Sequence, residues 1–191
     1  PNNDPGGNTG NNDMGRDGDE DLELLLGLGT NTLDAVVLEF DFVPIEDSIV
    51  FNYVFASEEY LEFVNAGYFD VFGFFLSGPG INGPFSNGSV NVALVPGTNT
   101  PVTIDNVNDQ VNSSYYVDNG DGESWPQIAN SSIVQYDGLT VKMTAVLNVQ
   151  ACETYHIKLA IADVSDGIYD SAVFLEKGSF SLVEPIANAG P

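Results

Sequence analysis

Basic side chains are scarce in this 191-residue chain. Lysine and arginine together number 4, against 28 aspartates and glutamates, which gives a formal net charge of −24 at pH 7. Nucleic acids and anionic membranes would repel such a chain, so neither is expected as a partner. The acidity fits an extracellular medium rich in salt and calcium, where screening and bound cations relieve the repulsion between carboxylates.

Several other features are missing as well. Cys152 is the single cysteine, so the chain forms no internal disulfide. No apolar run reaches transmembrane length and no signal peptide opens the chain, so we expect no membrane insertion. The single histidine, His156, belongs to no Ser-His-Asp order or Cys-His pair, and no phosphate-binding loop is present, which argues against an enzyme.

Strand patterns are abundant, and apolar residues make up 43% of the chain, enough for a sizeable core. Residues 36–42 and 49–55 alternate between apolar and other positions, and 58–66 shows the spacing of a short helical turn. Glycine, proline and asparagine separate the segments. The sequence therefore predicts an all-β fold, an antiparallel, jelly-roll-like β-sandwich with long loops and at most one short helix. Further strands are predicted at 70–77, 89–95, 101–104, 139–149, 153–163 and 172–183.

Acidic residues cluster at the ends of these apolar strands. Charge beside buried strands is costly unless it is neutralised, and four basic side chains cannot balance 28 acids. Since calcium is bound by several oxygen ligands, we predict a calcium site at one rim of the sandwich. The alternative is that some of these acids cap turns or face water. The predicted ligands are Glu58, Glu59, Asp70, Asp163, Asp166 and Asp170.

A second acidic segment lies near the start of the chain. Asp17, Asp19 and Asp21 alternate with other residues, as in the first half of a calcium-binding loop. The closing glutamate of an EF-hand is not in register. These three aspartates are the second predicted metal site.

Surface chemistry of other kinds is also indicated. Tyr115, Tyr116 and Trp125 lie in a polar loop, where aromatic rings can stack on sugars, although Trp125 could instead pin the loop onto the sandwich. The segment Asp47-Ser48-Ile49 matches a short bacterial O-glycosylation pattern, so Ser48 is the predicted modified residue. Glu58 and Glu59 are adjacent, so on a strand they would point to opposite faces and do not form a glycosidase pair.

Three segments carry a family resemblance: YVFASEEYLEFVNAGYFDVFGFFL at 53–76, NVALVPGT at 91–98, and YHIKLAIADVSDGIYDSAVFLEKGSF at 155–180. Together they resemble the choice-of-anchor L domain, a family of bacterial extracellular domains that precede varied surface-anchoring or sorting signals. The resemblance covers roughly residues 20–184. It implies secretion, a modular architecture and adhesive or surface roles, and it implies no reaction.

These observations predict three regions: a linker or loop at 1–20, a choice-of-anchor L-like sandwich at 21–184, and at 185–191 the start of a module that resembles a PKD domain. We expect a non-catalytic, extracellular, calcium-stabilised module of a bacterial adhesin-like or filament-like surface protein. The alternative is a carbohydrate-binding module of a secreted enzyme. The expected partners are neighbouring domains or subunits of the same protein, which would cover an open sheet edge, and, for the alternative, glycans.

Overall fold

The computed structural model describes residues 14–27, 29–120, 134, 136–167 and 169–180. In that part of the chain, no helix has both the length and the apolar character needed to cross a membrane. The described residues contain one α-helix and nine strands: α1 (Glu20–Leu26), β1 (Thr32–Phe42), β2 (Ser48–Ser57), β3 (Phe69–Ser77), β4 (Val90–Asn91), β5 (Tyr116–Asp118), β6 (Gly138–Thr140), β7 (Met143–Asn148), β8 (Tyr155–Val164) and β9 (Ser171–Leu175).

The strands form two antiparallel sheets. The first is four-stranded, in the order β1-β8-β3-β4, and the second is five-stranded, with β5-β6-β2-β7 in a row and β9 paired with β2. Strand β2 holds the second sheet together, since β6, β7 and β9 all pair with it. The predicted all-β antiparallel sandwich is confirmed.

Aromatic side chains fill the space between the sheets. Phe55 of β2 stacks on Phe72 of β3 with ring centroids 5.0 Å apart, and Tyr53 contacts both Phe72 and Phe74 edge-on. All four are almost fully buried. Burying a side chain of this size stabilises the fold by roughly 1.5–3 kcal/mol, so these inward rows on β2 and β3 hold the two sheets together.

Helix α1 was not anticipated at its position. Asp19 caps it by accepting hydrogen bonds from the backbone N–H groups of Asp21 and Leu22, and Leu22 packs into a second apolar cluster on the outer side of the first sheet. The segment before the helix is also part of the fold, because Asp17 forms a β-bridge with Leu33. Residues 58–67 form consecutive hydrogen-bonded turns and no regular helix. The Phe63 N–H donates to the Glu59 carbonyl four residues earlier, as in one turn of an α-helix, which agrees with the predicted short helical turn.

Three predicted strands are much shorter in the structure. Of 172–183 only the part in β9, which ends at Leu175, is a strand within the described residues. In 89–95 only Val90–Asn91 forms a strand, and 101–104 contributes only isolated bridges, from Pro101 to Leu94 and from Thr103 to Val71. Proline has no backbone N–H to donate, so it cannot continue a ladder of hydrogen bonds. The segments 89–95 and 101–104 nevertheless bury apolar side chains in the main core, which explains their strand-like alternation.

Candidate functional site

Strand pairing brings the predicted rim acids to one end of the sandwich. Asp70, near the start of β3, lies directly opposite Asp163, near the end of β8. Glu58 and Glu59 follow the end of β2, and the backbone N–H of Glu58 donates to the carbonyl of Asp170, just before β9. We call this set the acidic edge: Glu58, Glu59, Asp70, Asp163, Asp166 and Asp170.

The deepest carboxylates of the acidic edge have buried oxygen atoms without hydrogen-bond partners. Asp70 is 1% exposed, and neither of its carboxylate oxygens has a partner. Glu59 is 2% exposed and Glu58 7% exposed, and each has a buried Oε2 atom without a partner. A buried polar atom of this kind destabilises a protein by about 1–3 kcal/mol, and more if it is charged, so the acidic edge carries an uncompensated cost as it stands.

The pKa values reflect this environment. Burial, followed by the charges of Glu59 and Asp163, raises the pKa of Asp70 well above its usual range. Burial, with nearby acids that include Asp163 and Asp166, raises the pKa of Glu59 to about 9. Burial and the charge of Asp170 raise the pKa of Asp163 to about 7. Ionising all of these groups together therefore requires a compensating positive charge.

The carboxylates of the acidic edge influence one another electrostatically. Glu59, Asp70 and Asp163 interact with one another, and the charge of Asp166 acts on Glu59. Asp170 links Glu58 to this group, because its charge acts on both Glu58 and Asp163. Within the described ranges, no three acidic, histidine or cysteine side chains are arranged to hold a metal ion as they stand. An ion bound here would have to draw side chains together or take other oxygen ligands.

Basic side chains do not neutralise the acidic edge. Lys158 is paired elsewhere, and the Nζ atom of Lys142 lies 3.1 Å from Glu176 Oε1. Arg16 lines a depression beside the edge together with Asp163 and Asp170, but it forms no ion pair within the described part of the chain. The single positive charge of Arg16 is too little to balance the several carboxylates of the acidic edge.

Two further aspartates contribute to the acidic edge and were not identified from the sequence. Asp34 influences the pKa of both Asp163 and Asp170, and Asp105 influences that of Glu59. Asp34 has a positive φ of 50° where the register of β1 shifts, and its carboxylate accepts hydrogen bonds from the backbone N–H groups of Met14 and Arg16. An aspartate that interrupts the alternation of a strand is the sequence signal for such a bulge.

The second acidic segment has partners within the protein. Lys158 Nζ lies 2.6 Å from Asp19 Oδ2 and 2.9 Å from Asp21 Oδ2, and Asp19 also caps α1. Burial lowers the pKa of Lys158, but hydrogen bonds to the two aspartates outweigh that effect and raise it overall. Asp17 contributes backbone pairing to Leu33. The structure thus gives Asp19 a helix-capping role and pairs both Asp19 and Asp21 with Lys158, and these roles require no metal.

The predicted surface sites are placed only in part. Tyr116 packs on Tyr60 with ring centroids 4.9 Å apart, and Tyr115 is partly buried against the main core. Trp125 lies outside the described residues, so the stacking surface predicted for these three aromatics stays a prediction. Ser48 is exposed at the start of β2, a position open to modification.

Comparison with known proteins identifies one relationship. The choice-of-anchor L domain model matches residues 1–181 and so includes the acidic edge. No curated protein matches the chain, and no solved structure does. This family consists of non-catalytic, surface-anchor-type modules of bacterial cell-surface or secreted proteins. Since the match spans nearly the whole chain, the protein belongs to the choice-of-anchor L domain family.

Proposed function

We propose that this chain is a non-catalytic, adhesin-like or filament-like module in which calcium bound at the acidic edge stabilises the sandwich. The observation that carries the proposal is Asp70, which is 1% exposed with both carboxylate oxygens unpartnered. Asp163 lies opposite Asp70 in the sheet, and the charge of Glu59 raises the pKa of Asp70. A divalent cation would neutralise these groups together.

The chemistry of the donors favours calcium among divalent cations. The acidic edge offers carboxylate oxygens, and calcium accepts these together with backbone carbonyls and water in a flexible arrangement. Zinc and copper prefer histidine or cysteine, and the single histidine and the single cysteine lie elsewhere, His156 beside Asp41 and Cys152 in a turn after β7. Glu59, Asp70 and Asp163 are the proposed ligands, with Asp166 beside them, and Glu58 and Asp170 contribute to the surrounding charge.

A cation at this position would join elements that are distant in sequence. Glu59 follows β2 of the second sheet, whereas Asp70 and Asp163 belong to β3 and β8 of the first. Ligands from both sheets would clamp one end of the sandwich. A module that is clamped in this way would be more stable outside the cell, where calcium is plentiful, than in a medium without calcium.

Thermal unfolding with and without calcium tests the proposal. A ligand at about 100 times its Kd stabilises by roughly 2.7 kcal/mol, which for a chain of this size raises Tm by about 5–10 °C. Asp70→Asn should abolish this rise. It should also raise Tm in chelator at neutral pH, because folding then no longer requires a carboxylate that is ionised in the unfolded chain to take up a proton at this buried position. Asp41→Asn, at an exposed aspartate on β1, is the matched control and should keep the full calcium response.

Two results would contradict the proposal. One is a Tm that calcium leaves unchanged in the unmodified protein. The other is a calcium response that survives in Asp70→Asn, since the ion would then bind elsewhere. Glycan binding, the alternative prediction, would appear as an affinity for sugars that is lost on Trp125→Ala and unaffected by Asp70→Asn.

A further inference from the structure

The core of the sandwich is open along one side. Val36 and Leu38 lie on the same face of β1 as the core residues Phe40 and Phe42, yet they are 60% and 55% exposed. On the other sheet, Leu175 of β9 is 47% exposed. These side chains line an apolar groove of about 160 Å³, together with Val173, Phe74 and Leu159. In the part of the chain that the structure describes, no strand lies between β1 and β9, so these core-facing side chains are not covered by one.

Both strands that border this groove have a free edge. Among the described strands, β1 pairs with β8 alone and β9 pairs with β2 alone. Near the start of β1, its other edge is paired with the segment before α1. The Asp34 N–H donates to the Arg16 carbonyl, and the Ala35 N–H donates to the Asp17 carbonyl. Within the described residues, nothing pairs with that edge from Val36 to Phe42. An unpaired edge of this length is a template for an added strand.

The charge beside the groove indicates what kind of strand would bind. At its Val36 end, the groove continues into the depression lined by Asp34, Asp163, Asp170 and the single cation Arg16. A second copy of this chain would bring another net charge of −24 to the same surface, and like charges disfavour such an association. A partner with a cationic residue at this end would be attracted instead.

We propose that the groove binds an extended segment of another polypeptide, which adds a strand to the free edge of β1. Alternate aliphatic side chains of this segment enter the groove between Val36 and Leu38 on one side and Leu175 on the other. Antiparallel pairing, the more stable arrangement, places the carboxyl end of the segment at Val36. A lysine or arginine at that end reaches Asp34 and Asp170.

Synthetic peptides provide the test on the full 191-residue chain. The probe is a labelled peptide, Thr-Val-Thr-Val-Thr-Val-Lys, acetylated and amidated at its ends, with binding followed by fluorescence anisotropy. The same peptide with a carboxyl-terminal Glu, and one with the Lys moved to the amino end, should bind at least about tenfold more weakly. Alternate N–H groups of a strand point to the same neighbouring strand. N-methylation of either all three valines or all three threonines should therefore abolish binding, because one of these sets supplies the N–H donors to β1. All measurements are made in chelator, so the outcome is independent of calcium.

Protein variants locate the binding surface. Val36→Thr and Leu38→Thr should each weaken binding about tenfold. Val37→Thr is the matched control: Val37 is also exposed, but it lies on the opposite face of β1, so binding should be unchanged. Because all three side chains are exposed, the variants should fold, and circular dichroism melts check this.

Three results would overturn the proposal. The first is no binding of the lysine peptide, or equal binding of the lysine and glutamate peptides. The second is a dimer in sedimentation experiments that Leu38→Thr dissociates, since a second copy would then occupy the groove. The third is peptide binding that appears only after residues 181–191 are removed, since the chain's own end would then be the occupant.

Discussion

Raising the pH should destabilise this protein when calcium is absent. The reason is Glu59, which is 2% exposed and has its pKa raised by burial and nearby acids from 4.5 to about 9. Between these two pKa values the folded state holds a proton that the unfolded state has released. The folded protein binds more protons, so the free energy of unfolding decreases as pH rises through this window and is highest below it.

The size of the effect follows from the same window. Each pH unit between the two pKa values lowers the free energy of unfolding by about 1.4 kcal/mol for one such group. From pH 5.5 to 7.5 the loss is therefore about 3 kcal/mol, which for a chain of this length corresponds to a fall in Tm of roughly 6–10 °C. Asp70, whose pKa is also raised by burial, acts in the same direction.

Calorimetry in chelator at a series of pH values measures this dependence. Glu59→Gln removes the titrating group, so its Tm should vary less with pH than that of the unmodified protein. Glu39→Gln, at an exposed glutamate beside His156, is the matched control, and its Tm should keep the decrease with pH that Glu59 causes. A Tm that is constant or rises from pH 5.5 to 7.5 in the unmodified protein would refute the reasoning.

Two further changes test other parts of the fold. Lys158→Met leaves the buried carboxylate of Asp19 without its cation and should lower the free energy of unfolding in urea by about 3 kcal/mol; a loss below 1 kcal/mol would show that the ion pair is not required. At Gly138, an added Cβ would lie 2.5 Å from the ring of Tyr60, so Gly138→Ala should lower stability by roughly 1–3 kcal/mol. Unchanged melting of Gly138→Ala would show that Tyr60 moves aside without penalty.

The sheets could be predicted from sequence where local alternation determines them. The apolar positions of β2 face the core, as their spacing of two residues requires, and β8 also buries its apolar positions. In β1 the same alternation leaves Val36 and Leu38 exposed. The turns at 58–67 share their apolar spacing with a helix because successive turns also bring side chains three or four residues apart onto one surface. Helix α1 has only seven residues, too few for a clear periodicity.

The candidate site could be predicted in composition but not in arrangement. That acids at strand ends would meet follows from the sandwich, and Asp70 and Asp163 do meet. Their direct opposition depends on the register between β3 and β8, which are far apart in the chain. The same limit applies to Asp19 and Asp21, which the sequence favours as metal ligands. Nothing local indicates that Lys158 pairs with them, because it comes from the distant strand β8.

Proton release on calcium binding tests the central claim most directly. At pH 7 the raised pKa values of Glu59 and Asp70 keep protons on the acidic edge, and calcium requires these ligands to be ionised. Isothermal titration in two buffers of different ionisation enthalpy should therefore show calcium binding with release of about one proton or more per ion, and Asp70→Asn should lose the binding. No heat of binding, or the same heat in both buffers, would contradict the account.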